Sequence, residues 1–395
     1  MFDQHLRDFY DATLDSETQP LRRLFYCHNA HSHYVLLAYF AKEDPEARRF
    51  LFEQMGIEGI ESTLFVLRTP WWFKGKPTAV MKKDGDPRFW YARGLVKKFV
   101  ARLLKHAYPS IREEGKESLD FRGRSEDKEF LYLFIPDQDA LSKLASAYST
   151  QKEFFKELET TWINDLIWQT RIRVRRRNAA RDVTFHDLSE GEQQLITVIG
   201  LLKFTKADES LFLLDEPDTH LNPQWKFDYL RTLEKVVGPN AKSQMLIATH
   251  DPLVILSLNR DQVRIFQTNT EGHTTASAPY HSPCDMSVNT LLTSELYGLR
   301  ATIAPQKLVA LDRKRLLAAK GTLGPREKQE LADLTIEIGG LDATLTLRDP
   351  LYQRFVTAMT VLGYKRHLMS ATPSVEQRRD QQKMAEEVLA GMLKK

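Results

Sequence analysis

Apolar and polar positions change rhythm several times along this chain. Residues 33–41 are strongly apolar and 45–55 carry helical spacing, so short helices are expected within 1–60. Over 60–68, Leu64 and Val66 alternate with Phe65 and Leu67, the period of a strand. Thr69-Pro70-Trp71-Trp72 marks a loop. A basic amphipathic helix is predicted over 92–106, inside a stretch (84–128) rich in charge and glycine. Residues 130–135 make a compact apolar strand, and 137–162 read as two helices. Residues 166–175 and 183–185 flank a polar turn, a hairpin pattern. A helix over 189–204 is apolar nearly all round after its first turn, so it is expected to be buried. Then come strand (211–214), helix (223–237), strand (245–248), helix (252–258) and strand (263–266). Alternating strands and helices with continuous apolar strands predict an α/β lobe built on a mainly parallel sheet covered on both faces. Beyond 285 the pattern is helical, over 287–297, 306–319, 325–338, 349–363 and 374–393.

A chain of 395 residues is long enough for two or three domains. The changes of pattern divide it into a helical and mixed α+β arm (1–163), an α/β lobe (164–270) and a helical C-terminal extension (271–395). Hydrophobic (42%) and charged (28%) fractions are ordinary for a globular protein. Net charge is +3, so any basic surface must be local. The two cysteines, Cys27 and Cys284, lie far apart, which gives no disulfide framework and fits a reducing cytoplasm. No run approaches about eighteen consecutive apolar residues, so no membrane-spanning helix is expected. The N-terminus lacks a charged start followed by an apolar block, so no secretion signal is expected.

The candidate chemistry lies in three places. Ser189 and Glu192 form an S-x-x-E capping box, which starts a helix. A helix N-terminus offers free backbone N–H groups and the positive end of its dipole, and so attracts phosphate. Gly191 in that first turn leaves the backbone accessible. The alternative is a capped core helix with no ligand. Next, the apolar strand over 211–214 ends in Asp215 and Glu216, at the strand end where parallel sheets place ligands. Asp215 suits Mg²⁺ held through water, and Glu216 suits polarisation of an attacking water, the positioning that phosphoryl transfer requires. A solvated carboxylate pair is the alternative. Finally, the strand over 245–248 ends in Thr249 and His250. Each feature alone is common; the three in this order and spacing point to an ATP site.

These residues resemble an ABC-type ATPase. Residues 188–193 look like its signature, 211–216 like its Walker B strand, 217–223 (Pro-Asp-Thr-His-Leu-Asn-Pro) like the following loop that meets the opposite subunit, and His250 like the switch histidine. The resemblance implies ATP and Mg²⁺ as cofactors and a site built across a homodimer or higher oligomer. Ser189 and Gly191, with Glu192, Gln193 and Asn222, would serve the ATP of the partner subunit. Asp215 would serve Mg²⁺, Glu216 would be the catalytic base, and His250 would stabilise the γ-phosphate. The glutamate-rich signature and the D-E-P-D-T-H-L-N-P segment resemble the SMC-like and OLD-like ATPases of DNA repair and phage defence more than transporter subunits. Thr69-Pro70-Trp71-Trp72, the run 171–177 and residues 292–299 resemble AAA-group ATPases found beside restriction and anti-phage genes, including those of Septu-type systems. A nuclease or other effector partner, DNA, and no membrane partner follow from that likeness. A non-catalytic scaffold subunit, lending its signature face to another protein's phosphate loop, is the alternative.

One element of the family pattern is missing. No G-x-x-x-x-G-K-[ST] string occurs. The nearest, Gly115-Lys116-Glu117-Ser118 and Gly75-Lys76-Pro77-Thr78, have Ser110 and Pro70 where the first glycine should stand. The chain therefore resembles only the part of such an ATPase C-terminal to the phosphate loop. The strand bearing that loop normally pairs beside the switch-histidine strand, so an incomplete sheet is predicted next to 245–249.

Weaker signals complete the picture. Arg171, Arg173, Arg175 and Arg177 are nucleic-acid candidates: at strand period the first three share one face. A solvated hairpin face is the alternative. Cys27, His28, His31 and His33 have spacing that metal sites use, but no second Cys or His cluster accompanies them. The final helix, with Thr372 as cap and Pro373 in its first turn, carries Met384, Val388 and Met392 at four-residue spacing. It is expected to dock on its own domain or in a partner's groove.

Overall fold

The alternation around 60–68 becomes strand β1 (Ile57–Arg68) in a computed structural model. It describes residues 25–118, 125–177, 179, 183–206, 209–238, 242–269, 271–320, 322–338, 350–365 and 375–393. The helices expected before residue 25 and the cap at Thr372 fall outside these. Two compact units are present, Met1–His250 and Asp251–Lys395.

In the first unit, β1 is the centre of a five-stranded sheet of order β2-β3-β1-β4-β5. Its other strands are β2 (Ile111–Ser118), β3 (Ser125–Ile135), β4 (Ile167–Arg176) and β5 (Val183–Thr184). The β1–β4 pairing crosses position 163, so arm and lobe residues share one sheet. Thr63 lies opposite Ile135 and Ile172, and Phe65 opposite Leu133 and Thr170. All six are buried, so one face is core. Helices α1 (Ala30–Ala41), α2 (Pro45–Met55), α3 (Ala79–Asp84), α4 (Gly94–His106), α5 (Gln138–Ala145) and α6 (Gln151–Ile163) lie in the same unit, and α1, α4, α5 and α6 pack against the sheet. Helix α1 also packs on α7 (Glu190–Thr205), which is why its residues from Tyr34 to Ala41 are almost fully buried. Gly200 of α7 admits the close crossing: a Cβ there would lie 2.0 Å from Val35 Cγ1.

The expectation of a mainly parallel sheet is not met. All pairings in the five-stranded sheet are antiparallel. Among the described residues the one parallel pairing joins β6 (Leu211–Asp215) to β7 (Gln244–Ala248), with Leu213 opposite Leu246 and Asp215 opposite Ala248. The third strand expected there forms instead a separate hairpin, β8 (Ile265–Thr268) with β9 (Thr274–Ser277). The continuous apolar runs at 211–214 and 245–248 do make a parallel pair. In the larger sheet β4 alternates buried and exposed positions, the antiparallel pattern, while the central β1 is buried along most of its length. Strand β2 is too polar to be read as a strand. It is an edge, where charge discourages further pairing, and Lys116 lies opposite Asp127. Gly115-Lys116-Glu117-Ser118 is therefore strand, and Thr78 of the second near-match caps α3.

As predicted from the absent loop, β7 pairs with β6 alone among the described residues. Leu211, Leu213 and Leu246 on this pair are 60%, 67% and 62% exposed, whereas parallel strands are ordinarily covered on both faces. Helix α8 (Pro223–Val237) connects β6 to β7.

The second unit holds α9 (Pro252–Ile255), the β8–β9 hairpin, α10 (Val288–Thr293), α11 (Pro305–Ala318), α12 (Pro325–Ile338), α13 (Pro350–Lys365) and α14 (Val375–Leu393). Ala310 and Leu311 of α11 and Ile338 of α12 form its small core, and Arg300 pairs with the buried Asp312. Met384 and Val388 are buried as α14 packs on α13, so the final helix docks within its own unit.

The histidines near the start of α1 take separate partners rather than one metal. His31 faces Glu159 (3.4 Å), and the His33 ring lies 4.3 Å from Phe185 and 5.2 Å from His186. Among the described residues no three metal-type ligands converge. Burial, then the neighbouring His186, lower the His33 pKa from 6.5 to about 4. The folded state thus prefers neutral His33, while the unfolded chain takes up a proton below 6.5. Stability is complete above that value and falls as pH drops from 6.5 towards 4, by as much as about 3 kcal/mol. Melting temperature is expected to fall between pH 7 and pH 5, and less steeply in His33→Phe; equal slopes would count against this.

Candidate active site

Helix α7 starts as the capping box demands. Ser189 Oγ accepts from the Glu192 N–H (3.3 Å), and Glu192 Oε2 accepts from the Ser189 N–H (2.8 Å). Glu192 is 6% exposed, and its other oxygen receives Arg176 Nη2 at 2.7 Å. Gln193 Nε2 donates to the Leu188 carbonyl (2.8 Å). Gly191 serves a purpose that the sequence did not suggest. A Cβ there would lie 2.4 Å from the His220 carbonyl oxygen, so the glycine lets the loop after β6 close onto the first turn of α7.

That loop is organised by its own short bonds. Glu216 adopts φ +44°, and its N–H donates to Ala248 O (2.8 Å), extending the β6–β7 ladder by one bond. Thr219 Oγ1 donates to Glu216 O (2.9 Å), and Leu221 N–H to Asp218 O (3.0 Å). Asn222 caps α8, its Oδ1 accepting from the Trp225 N–H at 2.9 Å. Asp218 is buried, and burial followed by this carboxylate pushes the Tyr229 hydroxyl well above its usual pKa.

The ends of β6 and β7 bring two predicted residues together. Glu216 Oε1 lies 2.8 Å from His250 Nδ1. Glu216 Oε2 is buried with no hydrogen-bond partner among the described residues. Asp215 is exposed at the end of β6, opposite Ala248. Ser189, Gly191, Glu192 and Gln193 form a second cluster at the start of α7. Gln194, whose role the sequence did not reveal, joins the two: its Nε2 donates to Glu216 O (3.4 Å) and its Oε1 accepts from the His220 N–H (3.3 Å). No periodicity marks such an amide. Arg176 was more legible, since strand parity turns it away from Arg171, Arg173 and Arg175. Those three are exposed on β4, whereas Arg177 leaves the row and lies 3.9 Å over the Phe52 ring.

Residues 61–257 match a family described as "AAA domain, putative AbiEii toxin, Type IV TA system". That segment is an ATPase-family domain. It contains most of β1, all of β2 to β7, the α7 cap and the Glu216–His250 pair. The chain is 28% identical over 181 residues to Septu protein PtuA of Bacillus mycoides (strain KBAB4), covering 44% of this chain and 24% of that protein. It is 30% identical over 95 residues to the "Retron Vc95 probable ATPase" of Vibrio cholerae serotype O1 biovar El Tor, covering 21% of this chain and 18% of that protein. The chain thus spans a quarter or less of these relatives' lengths. A solved structure from work on "ATP-driven dimerization and DNA stimulated activation of SMC ATPases" is similar at 17% identity and a TM-score of 0.22, over 28% of this chain and 65% of that one. No helix among the described residues is long and apolar enough to cross a membrane.

Proposed function

We propose that this chain is part of an ATP-hydrolysing subunit acting in anti-phage defence or DNA repair, with ATP sandwiched between two copies. The reading rests chiefly on the Glu216–His250 contact of 2.8 Å at the ends of paired strands. A carboxylate and an imidazole meet beside the carboxyl ends of parallel strands, where such sheets ordinarily take ligands, which supports a phosphate site.

The residues present suit Mg²⁺. That ion takes one or two protein carboxylates and keeps several waters, so the exposed Asp215 meets its need without a protein cage. The partnerless Oε2 of Glu216 suits a water. They suit ATP as one half of a shared site, since the chain offers a signature helix and no phosphate loop. When bound, Mg²⁺–ATP supplies the transferable phosphoryl group and offsets its charge. Glu216 orients water through Oε2 and accepts its proton, while Oε1 stays on His250. His250, largely exposed, reaches towards the γ-phosphate. Ser189 and Gly191 present the first turn of α7 to the ATP of the opposite subunit. Glu192 and Gln193 hold that turn in shape, and Asn222 fixes the loop that connects the two sites. Closure of the two copies then drives a nuclease or other effector, with DNA as a partner of the assembly.

A mixing experiment tests the shared site. Ser189→Arg and Glu216→Gln are each expected to be inactive in the complete assembly. Mixed dimers carry one composite site with both residues intact, so mixing should restore up to roughly a quarter of wild-type turnover, half the dimers with one of two sites. Recovery of nothing would count against the sandwich.

A further inference from the structure

We infer that the arginine-bearing face of the five-stranded sheet binds single-stranded nucleic acid. In this arrangement the arginines of β4 meet the backbone phosphates, and Phe134 of β3 with Tyr108 beside it lies under the bases. The inference deepens the DNA partner of the proposed function, but it rests on the sheet alone and not on the nucleotide site.

The register sets out the surface. Arg171 lies opposite Leu64 of β1, and Leu64 lies opposite Phe134 of β3, so these three form one cross-strand row. Arg173 lies opposite Ser62, and Val66 lies opposite Tyr132, which in turn faces Ile111 on β2. The other face is core; on this one Ser62 and Val66 of the central strand are buried, while Phe134 is 37% exposed, Tyr108 beside it 58% and Ile111 65%. The Tyr108 and Phe134 rings are 5.8 Å apart. A solvated hairpin face has no need of this aromatic and aliphatic platform beside its arginines.

The arginines are held in place. Gln169 Oε1 accepts from both Nε (3.1 Å) and Nη2 (2.9 Å) of Arg171. Arg175 lies across Gly59: a Cβ on that glycine would be 2.6 Å from Arg175 Nη2. Alternate residues of a strand stand about 6.6 Å apart, so Arg171, Arg173 and Arg175 make a straight cationic row along β4. The aromatic row runs parallel to it, two strand spacings or about 10 Å away. A cationic track beside stacking rings is how proteins bind single strands, because every base has a π-face. A duplex hides those faces in its stack, and a broad sheet has no element to enter a groove. Glu113, on the same face at the β2 edge, makes the surface basic at β4 and acidic at β2, which orients a strand with phosphates over β4 and bases towards β3.

The test is binding of labelled oligothymidylate and oligouridylate to the complete protein without nucleotide, over a series of salt concentrations. Omitting ATP keeps the outcome independent of the hydrolysis reading. Wild type is expected to bind one or both oligomers. R171A/R173A/R175A should bind at least tenfold more weakly, with the salt slope reduced by about 2, as loss of three single-strand phosphate contacts requires. Substitution of the same three positions by lysine should keep most of the slope. Phe134→Ala should lose roughly tenfold in affinity with the slope unchanged. All four positions are exposed, and an unaltered melting temperature confirms the fold of each variant. The inference is overturned by no binding in wild type, by an unchanged slope in the triple alanine variant, or by tighter binding of duplex or of an acidic peptide that ignores Phe134.

Discussion

Glutamine at position 216 is expected to lower ATP turnover of the complete assembly by about 10²–10⁴-fold, the usual contribution of a general base. ATP-driven association should persist. Glutamine keeps the length of the side chain, and its amide oxygen can still meet His250 Nδ1, 2.8 Å from the present Oε1. What it removes is the basicity of the partnerless Oε2. The backbone around it is fixed independently, by the Glu216 N–H to Ala248 O bond and by Gln194 on the Glu216 carbonyl. A residue other than glycine at φ +44° costs of order 1–3 kcal/mol, and such strain gathers where a side chain must be aimed. Phosphate release measured beside nucleotide-dependent sedimentation separates the two effects. Unchanged turnover would remove Glu216 from the chemistry and leave the scaffold reading.

A methyl group at position 191 is expected to be nearly as damaging for a different reason. The Cβ of Gly191→Ala would stand 2.4 Å from the His220 carbonyl oxygen, which is backbone and cannot rotate away. The loop carrying that oxygen is tied by Thr219 to Glu216, by Gln194 to His220 and by Leu221 to Asp218. Either the first turn of α7 or the whole loop must move. Overpacking of this kind costs about 1–3 kcal/mol, a fall of roughly 2–12 °C in melting temperature for a unit of this size. Turnover should fall with it, because the displaced loop begins at Glu216. A variant that melts and turns over like the wild type would show that the loop yields freely.

Those two positions show what a sequence conveys here. The capping box at Ser189 and Glu192, the strands ending at Glu216 and His250, and nearly every helix follow from local pattern, because periodicity and capping are local physics. The larger sheet was hidden: β1 finds β3 and β4 across long stretches of chain, and β2 is too polar to look like a strand. Gly191 was legible as important, but its packing against the loop was not, since only the folded loop shows which atom occupies the space. Gln194 was not legible at all, because an amide that bridges two backbones leaves no periodic trace. Arg177 shows the same limit, as its stacking on Phe52 depends on where α2 ends.

The uncovered β6–β7 pair also has a practical consequence. With Leu213 and Leu246 both about two-thirds in water and both outer edges unpaired among the described residues, it is the natural starting point for clumping during recombinant production. Polar replacements at Leu213 and Leu246 are expected to raise the yield of soluble protein, and an unchanged yield would clear the pair of blame.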